Sequence, residues 1–254
     1  MRASPLTWIT RALWLTLPLT LGDLVAGALD GRSDAVVVAG AALAWSLWAA
    51  TLLSSLVLLP LTLLAMRVMV PLALVGGVLA AVDTAPEIAG WIGLVSAAVV
   101  LVTAMSADVG IDFVNGASYG DERRFPLRPP AALLLGPVPL VWALMALPLP
   151  AAVLALAARQ WVLGAALGLL GAVALFWGAR VLARLTARWC VFVPAGITLV
   201  DDMALVDPVL LRAEHVARLG PAPADTTATD LTAGATGLIL QVDVSAPVSV
   251  LPTV

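Results

Sequence analysis

The stretch Asp34–Asp83 reads DAVVVAGAALAWSLWAATLLSSLVLLPLTLLAMRVMVPLALVGGVLAAVD, and between its two terminal aspartates the only charged residue is Arg67. One α-helix needs about 20 apolar residues to cross a bilayer. A single crossing would leave about half of this stretch without a place in the lipid, so the stretch predicts two crossings joined by a tight turn. The chain is therefore predicted to be a polytopic membrane protein.

The composition of the chain supports this class. Of its 254 residues 62% are hydrophobic and 11% are charged, whereas soluble domains contain about 25% charged residues. Cys190 is the only cysteine, His215 is the only histidine, and all 13 basic residues are arginine. An intrachain disulfide, a cysteine-rich metal site, a Walker lysine and Schiff-base chemistry are thereby excluded.

Six apolar stretches predict an all-α transmembrane bundle of about six helices, followed by a small cytosolic β-rich module. Pro60 is the predicted turn between the second and third spans, because proline disfavours helix at the residue before it. Arg67 then lies two turns into the third helix and is expected to snorkel to the interface. A turn at Arg67 is the alternative, and it leaves a short third span. The predicted spans are 6–29, 35–58, 61–82, 87–107, 131–157 and 161–182.

The distribution of arginine predicts the orientation, because cytoplasmic loops carry an excess of basic residues. With the N-terminus inside, only Arg32 and Arg159 fall outside. Both termini are thus predicted to be cytosolic in a multi-pass plasma-membrane protein. The eleven inner arginines are Arg2, Arg11, Arg67, Arg123, Arg124, Arg128, Arg180, Arg184, Arg188, Arg212 and Arg218.

The first span has an alternative interpretation as a cleaved signal peptide. Arginines precede an apolar run, and Ala26-Gly27-Ala28 is typical of a cleavage site. Pro18 and Asp23 inside the run fit that interpretation poorly. The orientation of the other spans is the same in both cases.

Small residues and prolines in the spans indicate how the helices associate. Gly164 and Gly168 have GxxxG spacing and Gly171 follows them, which predicts close packing of the sixth span against another helix. The packing is expected within the bundle, and a homodimer through the same glycines is the alternative. Pro137, Pro139, Pro148 and Pro150 predict kinks in the fifth span; kinked helices occur both in transport paths and in ordinary bundles.

Two sets of polar residues are candidates for a function. Asp23 lies about two turns inside the first span, where an ionisable group is a functional hypothesis; the alternative is a solvated interfacial aspartate. In the loop Ser106–Pro130, Asp108, Asp112 and Glu122 form a candidate divalent-ion site with oxygen ligands. The alternative for this loop is a topogenic role, in which Arg123 and Arg124 hold the cytosolic side and the acids pair with them.

The sequence lacks the signatures of known membrane enzymes. It has no HExxH, no rhomboid-type GxSG with an intramembrane histidine, no aspartate-rich pair of loops and no CDP-alcohol phosphotransferase run. No catalytic residue, metal ligand or cofactor is therefore predicted, and Ser–His–Asp chemistry could use only His215.

The tail from Trp189 onward has a different pattern and defines a second domain, so that the predicted domains are 1–188 and 189–254. Two β-rich runs, Trp189–Val193 and Ile197–Val200, flank a Pro-Ala-Gly turn and predict a hairpin. Residues 220–237 are expected to form a mobile loop, and another strand or strand pair is predicted over 238–250.

Two arginines against seven acids give the tail a net charge of 2 − 7 = −5. Anionic headgroups and nucleic acid are therefore unfavourable partners, and a protein partner or self-association through open strands is expected.

The run RWCVFVPAGITLVDDMALVDPVLLRAEHVARLGP resembles the start of cytosolic PH-like modules that follow membrane helices in bacteria. The whole chain is similar in style to uncharacterised integral membrane proteins of actinobacteria. Compared with a PH-like barrel the tail is short and lacks a closing helix. It stops on a strand-like segment, 249–254, which predicts an incomplete module.

These observations predict a non-enzymatic membrane scaffold or interaction subunit. The alternative is a small transporter or transporter subunit, based on Asp23, the fifth span and the acidic loop. The third hypothesis is a divalent-dependent membrane enzyme that uses Asp108, Asp112 and Glu122.

Overall fold

The computed structural model of the chain describes residues 3–235 and 237–251. It is mostly helical, with two small antiparallel sheets in the second half of the chain. The helices are α1 (Pro5–Thr16), α2 (Pro18–Leu29), α3 (Asp34–Leu56), α4 (Pro60–Asp83), α5 (Ile88–Ala104), α6 (Ala107–Asn115), α7 (Ala131–Leu135), α8 (Pro137–Ala146), α9 (Pro148–Ala157) and α10 (Trp161–Thr186). The strands are β1 (Arg123–Pro126), β2 (Trp189–Val193), β3 (Gly196–Val200), β4 (Val209–Arg212), β5 (Val216–Pro221) and β6 (Leu240–Val244).

Among the described residues, four helical segments are long and apolar enough to cross a membrane: α3, α4, α8 with α9, and α10. The number rises to six if each of two bent pairs, α1 with α2 and α5 with α6, counts as one span. The second and third predicted spans match α3 and α4, and α4 begins at the predicted Pro60 turn.

The bend between α1 and α2 is 42° and follows from Pro18. Proline has no backbone N–H, so the carbonyl of Trp14, four residues earlier, loses its helical donor. The indole Nε1 of Trp48 on α3 donates to that carbonyl at 3.0 Å, and Trp14 Nε1 donates in return to the Trp48 carbonyl at 2.9 Å. This reciprocal pair satisfies the broken turn and joins α1 to α3.

Two further breaks change the predicted spans. α5 stops at Ala104 and α6 starts at an angle of 59°, with Ser106 as its N-cap. The predicted fifth span, 131–157, is divided at Gly136, whose φ of −121° and ψ of −87° are not helical. The continuous segment Pro137–Ala157 is 21 residues long. Pro148 within it separates α8 from α9 without a bend above 40°.

The apolar core of the first half of the chain lies among α1, α2, α4, α5 and α6. Glycines permit close approach there: a Cβ on Gly93 would lie 2.8 Å from Leu21 Cγ, and one on Gly77 would lie 3.0 Å from Leu94 Cδ2. Close backbone approach is the usual basis of helix association in lipid. The buried core residues are Trp14, Leu17, Leu21, Leu24, Leu63, Met66, Val70, Ala80, Leu94, Ala97, Val100, Ala104, Val109 and Phe113.

The glycines of α10 face the helix that precedes it in the chain. A Cβ on Gly164 would lie 2.5 Å from Leu156 Cγ, and one on Gly171 would lie 2.8 Å from Leu149 Cγ. Gly168 faces Ala152 at 3.8 Å. The GxxxG face of α10 therefore packs within the α9–α10 hairpin.

The larger sheet has the strand order β1-β2-β3-β4, and all its neighbours are antiparallel. The hairpin predicted from the tail corresponds to β2 and β3. The loop strand β1 was not predicted: Arg124 pairs with Val191 and Phe125 pairs with Cys190. Because β1 joins this sheet, the chain divides into a helical unit (residues up to Gly116 with Leu140–Val181) and a β unit (Ala117–Pro139 with the residues from Leu182 onward). This division differs from the predicted one, in which a single boundary at residue 188 separates the two domains.

The smaller sheet is the β5–β6 ribbon, in which Leu219 pairs with Val242. The strands β4 and β5 were not predicted from the sequence. β6 is shorter than the strand predicted over 238–250. Of the strand-like segment 249–254, residues 249–251 are not in a strand, and residues 252–254 lie outside the described part of the chain, as does Arg2.

Candidate functional site

Asp112 on α6 is the centre of the main polar cluster of the helical unit. Its Oδ2 accepts hydrogen bonds from the backbone N–H of Ser4 at 2.7 Å and from the Thr7 hydroxyl at 2.6 Å. The Ser4 hydroxyl oxygen in turn accepts from the Thr7 N–H and caps α1. Because bonds to an ionised acceptor are stronger than neutral ones, Asp112 holds the start of α1 against α6.

Two arginines of the helical unit, Arg11 and Arg67, bind backbone carbonyls at helix ends. Arg11 Nε donates to the carbonyl of Ser55 in the last turn of α3 at 2.9 Å. Arg67 Nε donates to the carbonyl of Ala104 at 3.0 Å, and its Nη2 donates to Ser106 at 3.2 Å. The last four carbonyls of a helix lack intrahelical donors and carry partial negative charge, so a guanidinium stabilises them. The Arg67 guanidinium thus holds both sides of the α5–α6 bend, and its snorkelling to the interface stays a prediction.

One buried hydroxyl pair lies deeper in the helical unit. Thr10 Oγ1 lies 2.8 Å from Thr103 Oγ1, which links α1 to α5. The Thr51 hydroxyl is buried and has no hydrogen-bond partner within the described residues.

The three acids of the proposed ion site lie in three different environments. Asp108 is exposed in the first turn of α6, and Asp112 is bound to α1. Glu122 pairs with Arg124 at 2.6 Å, and this hydrogen bond is the main reason why the pKa of Glu122 lies below its ordinary value. Across the residues that the structure describes, no group of three or more His, Cys, Asp or Glu side chains could hold a metal ion.

The remaining sequence candidates are exposed. Asp23 is exposed on α2, and no hydrogen bond or ion pair of the described residues involves it. Both interpretations of Asp23, the functional one and the solvated one, therefore stay predictions. Arg123 is exposed on the edge strand β1.

Sequence reasoning missed a buried ion pair of the β unit. Arg188 Nε and Nη2 donate to the two carboxylate oxygens of Asp201 at 2.6 and 2.7 Å, and both side chains are 1% exposed. Asp201 also accepts from the Met203 N–H, and the Arg188 carbonyl accepts from the Leu127 N–H. The pair thus joins the end of β1, the start of β2 and the segment after β3. A signal was available: these two residues flank the only strongly predicted hairpin, at matching distances from its turn.

The β unit contains the single cysteine and the single histidine of the chain, Cys190 and His215. Burial raises the pKa of the Cys190 thiol, which disfavours the thiolate that acts as a nucleophile. His215 Nε2 lies 3.6 Å from Glu214 Oε1, and its side chain is partly exposed. The polar geometry of both units fixes helix ends and strand ends, which is a structural use of charge.

Comparisons with known proteins add no relative: no protein-family model, no curated protein and no solved structure matches this chain. The resemblance to PH-like modules therefore stays a prediction.

Proposed function

We propose that this chain is a multi-pass plasma-membrane protein with both termini in the cytosol, and that it acts as a non-enzymatic scaffold or interaction subunit. The observation that carries the proposal is the β unit. Its larger sheet is assembled from two segments that flank a helical hairpin, and it encloses the buried Arg188–Asp201 pair.

Strand pairing supports the membrane topology by parity. β1 and β2 can form a ladder only if they lie on the same side of a bilayer, so an even number of crossings must separate them. The proposed topology has two, α8–α9 and α10. In the same way Ser4 contacts Asp112, and the four proposed crossings between them are also even. The arginine distribution then assigns that common side to the cytosol.

The surface of the β unit fits a protein partner. The loop adds Arg123, Arg124 and Arg128, so the whole unit has 7 arginines and 9 acids, a net charge of 7 − 9 = −2. Five acids of the tail are exposed: Asp202, Asp207, Glu214, Asp225 and Asp230.

The edges of the larger sheet disfavour self-association through open strands. β1 and β4 have four residues each, β1 ends in Pro126, and Pro208 immediately precedes β4. Short edges with proline resist the addition of a further strand. A partner is therefore expected to bind the exposed acidic surface.

Co-purification from native membranes tests the scaffold proposal. Two double variants, Asp202→Arg with Asp207→Arg and Asp225→Arg with Asp230→Arg, reverse charge at exposed positions without touching the ion pair. A crosslinked protein partner should be lost from one of them and from a truncation after Arg188, and the other double variant is the matched control. A partner that is retained by all three proteins would contradict the proposal.

A small transporter is the second proposal, and one observation favours it. The two bent pairs α1/α2 and α5/α6 pack against each other, and broken helices commonly line transport sites. A transported ion or solute should raise the unfolding temperature of the purified protein, and Asp23→Asn should abolish the rise. A wild-type protein that no ion or solute stabilises would contradict this second proposal.

A further inference from the structure

The segment Arg123–Leu135 combines exposed arginine with exposed apolar side chains. It reads RRFPLRPPAALLL and contains three arginines and no acid. None of the five residues of α7 is buried; Leu135 is 87% exposed and Leu134 is 43% exposed. Phe125 on β1 is also 43% exposed.

The exposed leucines are not needed for the crossing that follows them. The segment Pro137–Ala157 has 21 residues, which at 1.5 Å per residue span about 31 Å, close to the thickness of about 30 Å for a hydrocarbon core. Gly136 interrupts the helix before that segment, and Pro129 and Pro130 precede α7. α7 is therefore a separate apolar turn immediately outside a segment that already has the length of a complete span.

We propose that Arg123–Leu135 is a membrane-docking segment that binds anionic phospholipids at the cytosolic face. Leu134 and Leu135 enter the boundary between headgroups and acyl chains, and Arg123 lies at the level of the phosphates. A short apolar turn next to basic residues has the composition that favours this interfacial position. The inference deepens the proposed function and rests on its membrane topology.

Covalent continuity argues for lipid as the occupant of this surface. One residue, Gly136, separates α7 from the span at Pro137. Since consecutive Cα atoms are about 3.8 Å apart, Leu135 cannot lie more than about 8 Å from the Cα of Pro137. A protein partner would have to displace lipid from that position.

Charge complementarity gives the second argument. No acid occurs between Arg123 and Val200, so the chain enters and leaves the α8–α10 hairpin through segments that carry only positive charge. The second of these segments, which leaves the hairpin, contains Arg184, and this residue is exposed. The net charge of −5 that excluded anionic lipid was that of the tail alone, whose acids begin at Asp201. The positive-inside rule explains where the arginines lie, but it does not explain the exposed leucines beside them.

Three single-cysteine proteins test the depth of α7. In a Cys190→Ser background, Leu135→Cys, Leu169→Cys and Leu238→Cys place a fluorescent label at positions of matched exposure, namely 87%, 71% and 81%. The full chain is placed in nanodiscs of phosphatidylcholine and phosphatidylglycerol. Spin-labelled lipid should quench the labels at residues 135 and 169, and aqueous iodide should quench the label at residue 238.

The outcomes distinguish a failure of the docking segment from a failure of the membrane topology. Iodide quenching at residue 135 with lipid quenching at residue 169 would overturn the docking segment and leave the membrane topology intact. Iodide quenching at both residues would overturn the topology and the docking segment together.

The arginine contribution has its own measurement. Phosphatidylglycerol is titrated into detergent-solubilised protein, and the concentration that gives half of the maximal rise in unfolding temperature is recorded. Arg123→Gln should raise that concentration about 5-fold, since one arginine near an anionic surface contributes about 1 kcal/mol. Exposed Arg218 on β5 provides the control, and Arg218→Gln should leave the value unchanged. An unchanged value for Arg123→Gln, or equal changes in the two variants, would overturn the proposal.

Discussion

The two units differ in how they satisfy their least exposed charges. In the helical unit, Arg11, Arg67 and Asp112 meet backbone groups or a hydroxyl, mostly at helix ends. In the β unit, Arg188 meets Asp201 directly and both side chains are buried. Helix ends offer partial charges that short strands lack, because a helix leaves four N–H groups and four carbonyls without intrahelical partners. The comparison predicts that charge deletions should cost more in the β unit than in the helical unit.

The largest expected effect comes from Asp201→Ala. This variant leaves the Arg188 guanidinium buried without its counter-ion, and breaking such a pair costs about 3–5 kcal/mol. The β unit should become sensitive to limited proteolysis while the helices stay in the membrane. The exposed pair of Arg212 and Glu214, 3.6 Å apart, is the control, and Arg212→Ala should have little effect. Equal protease sensitivity of the two variants would contradict the expectation.

Gly164→Ala should have the next largest effect, because the new Cβ would lie 2.5 Å from Leu156 Cγ. Overpacking of this kind costs about 1–3 kcal/mol, and a thermal unfolding curve in detergent measures it. Gly76→Ala on α4 is the matched control, since its Cβ would meet nothing within 4 Å. If Gly164→Ala unfolded like the wild type but lost a dimer, the homodimer interpretation would replace intramolecular packing.

Asp112→Ala should destabilise the helical unit by about 1–3 kcal/mol, because it removes the acceptor of the Ser4 N–H and the Thr7 hydroxyl. The expected signature is faster hydrogen exchange at the start of α1. Asp108→Ala, at an exposed position of the same helix, should change little. Identical exchange in the two variants would show that the Asp112 contacts do not hold α1.

The smallest effect concerns Glu122 and pH. Its hydrogen bond with Arg124 lowers the pKa of Glu122 in the folded state. Stability from this group is therefore present above its ordinary pKa of 4.5 and is lost as the pH falls through the lowered folded value. The difference in unfolding temperature between the wild type and Glu122→Gln should be visible at neutral pH and should shrink as the pH is lowered below 4.5. A difference that grows on acidification would contradict the assigned sign.

Local signals in the sequence were sufficient for most helices and for the β2–β3 hairpin. Hydropathy located α3, α4 and α10, and Pro60 marked the start of α4. The bend at Ser106 and the break at Gly136 depend on tertiary packing and on backbone angles that hydropathy does not encode. The pairing of β1 with β2 is a contact between segments that are distant in sequence. Arg188 and Asp201, in contrast, lie only 13 positions apart and flank the predicted hairpin, and their contact was missed because each residue was counted by charge alone.

Crosslinking of two paired positions in native membranes tests the central claim most directly, namely that the loop strand and the tail form one sheet on one side of the bilayer. Phe125 pairs with the native Cys190, so Phe125→Cys places two thiols on opposite residues of an antiparallel pair, within disulfide range. A protease site is inserted between Ala158 and Arg159, and Leu135→Cys is the control. After oxidation and cleavage, the fragments should stay joined in Phe125→Cys and separate in Leu135→Cys. Separation in both variants, with all cysteines reactive, would contradict the central claim.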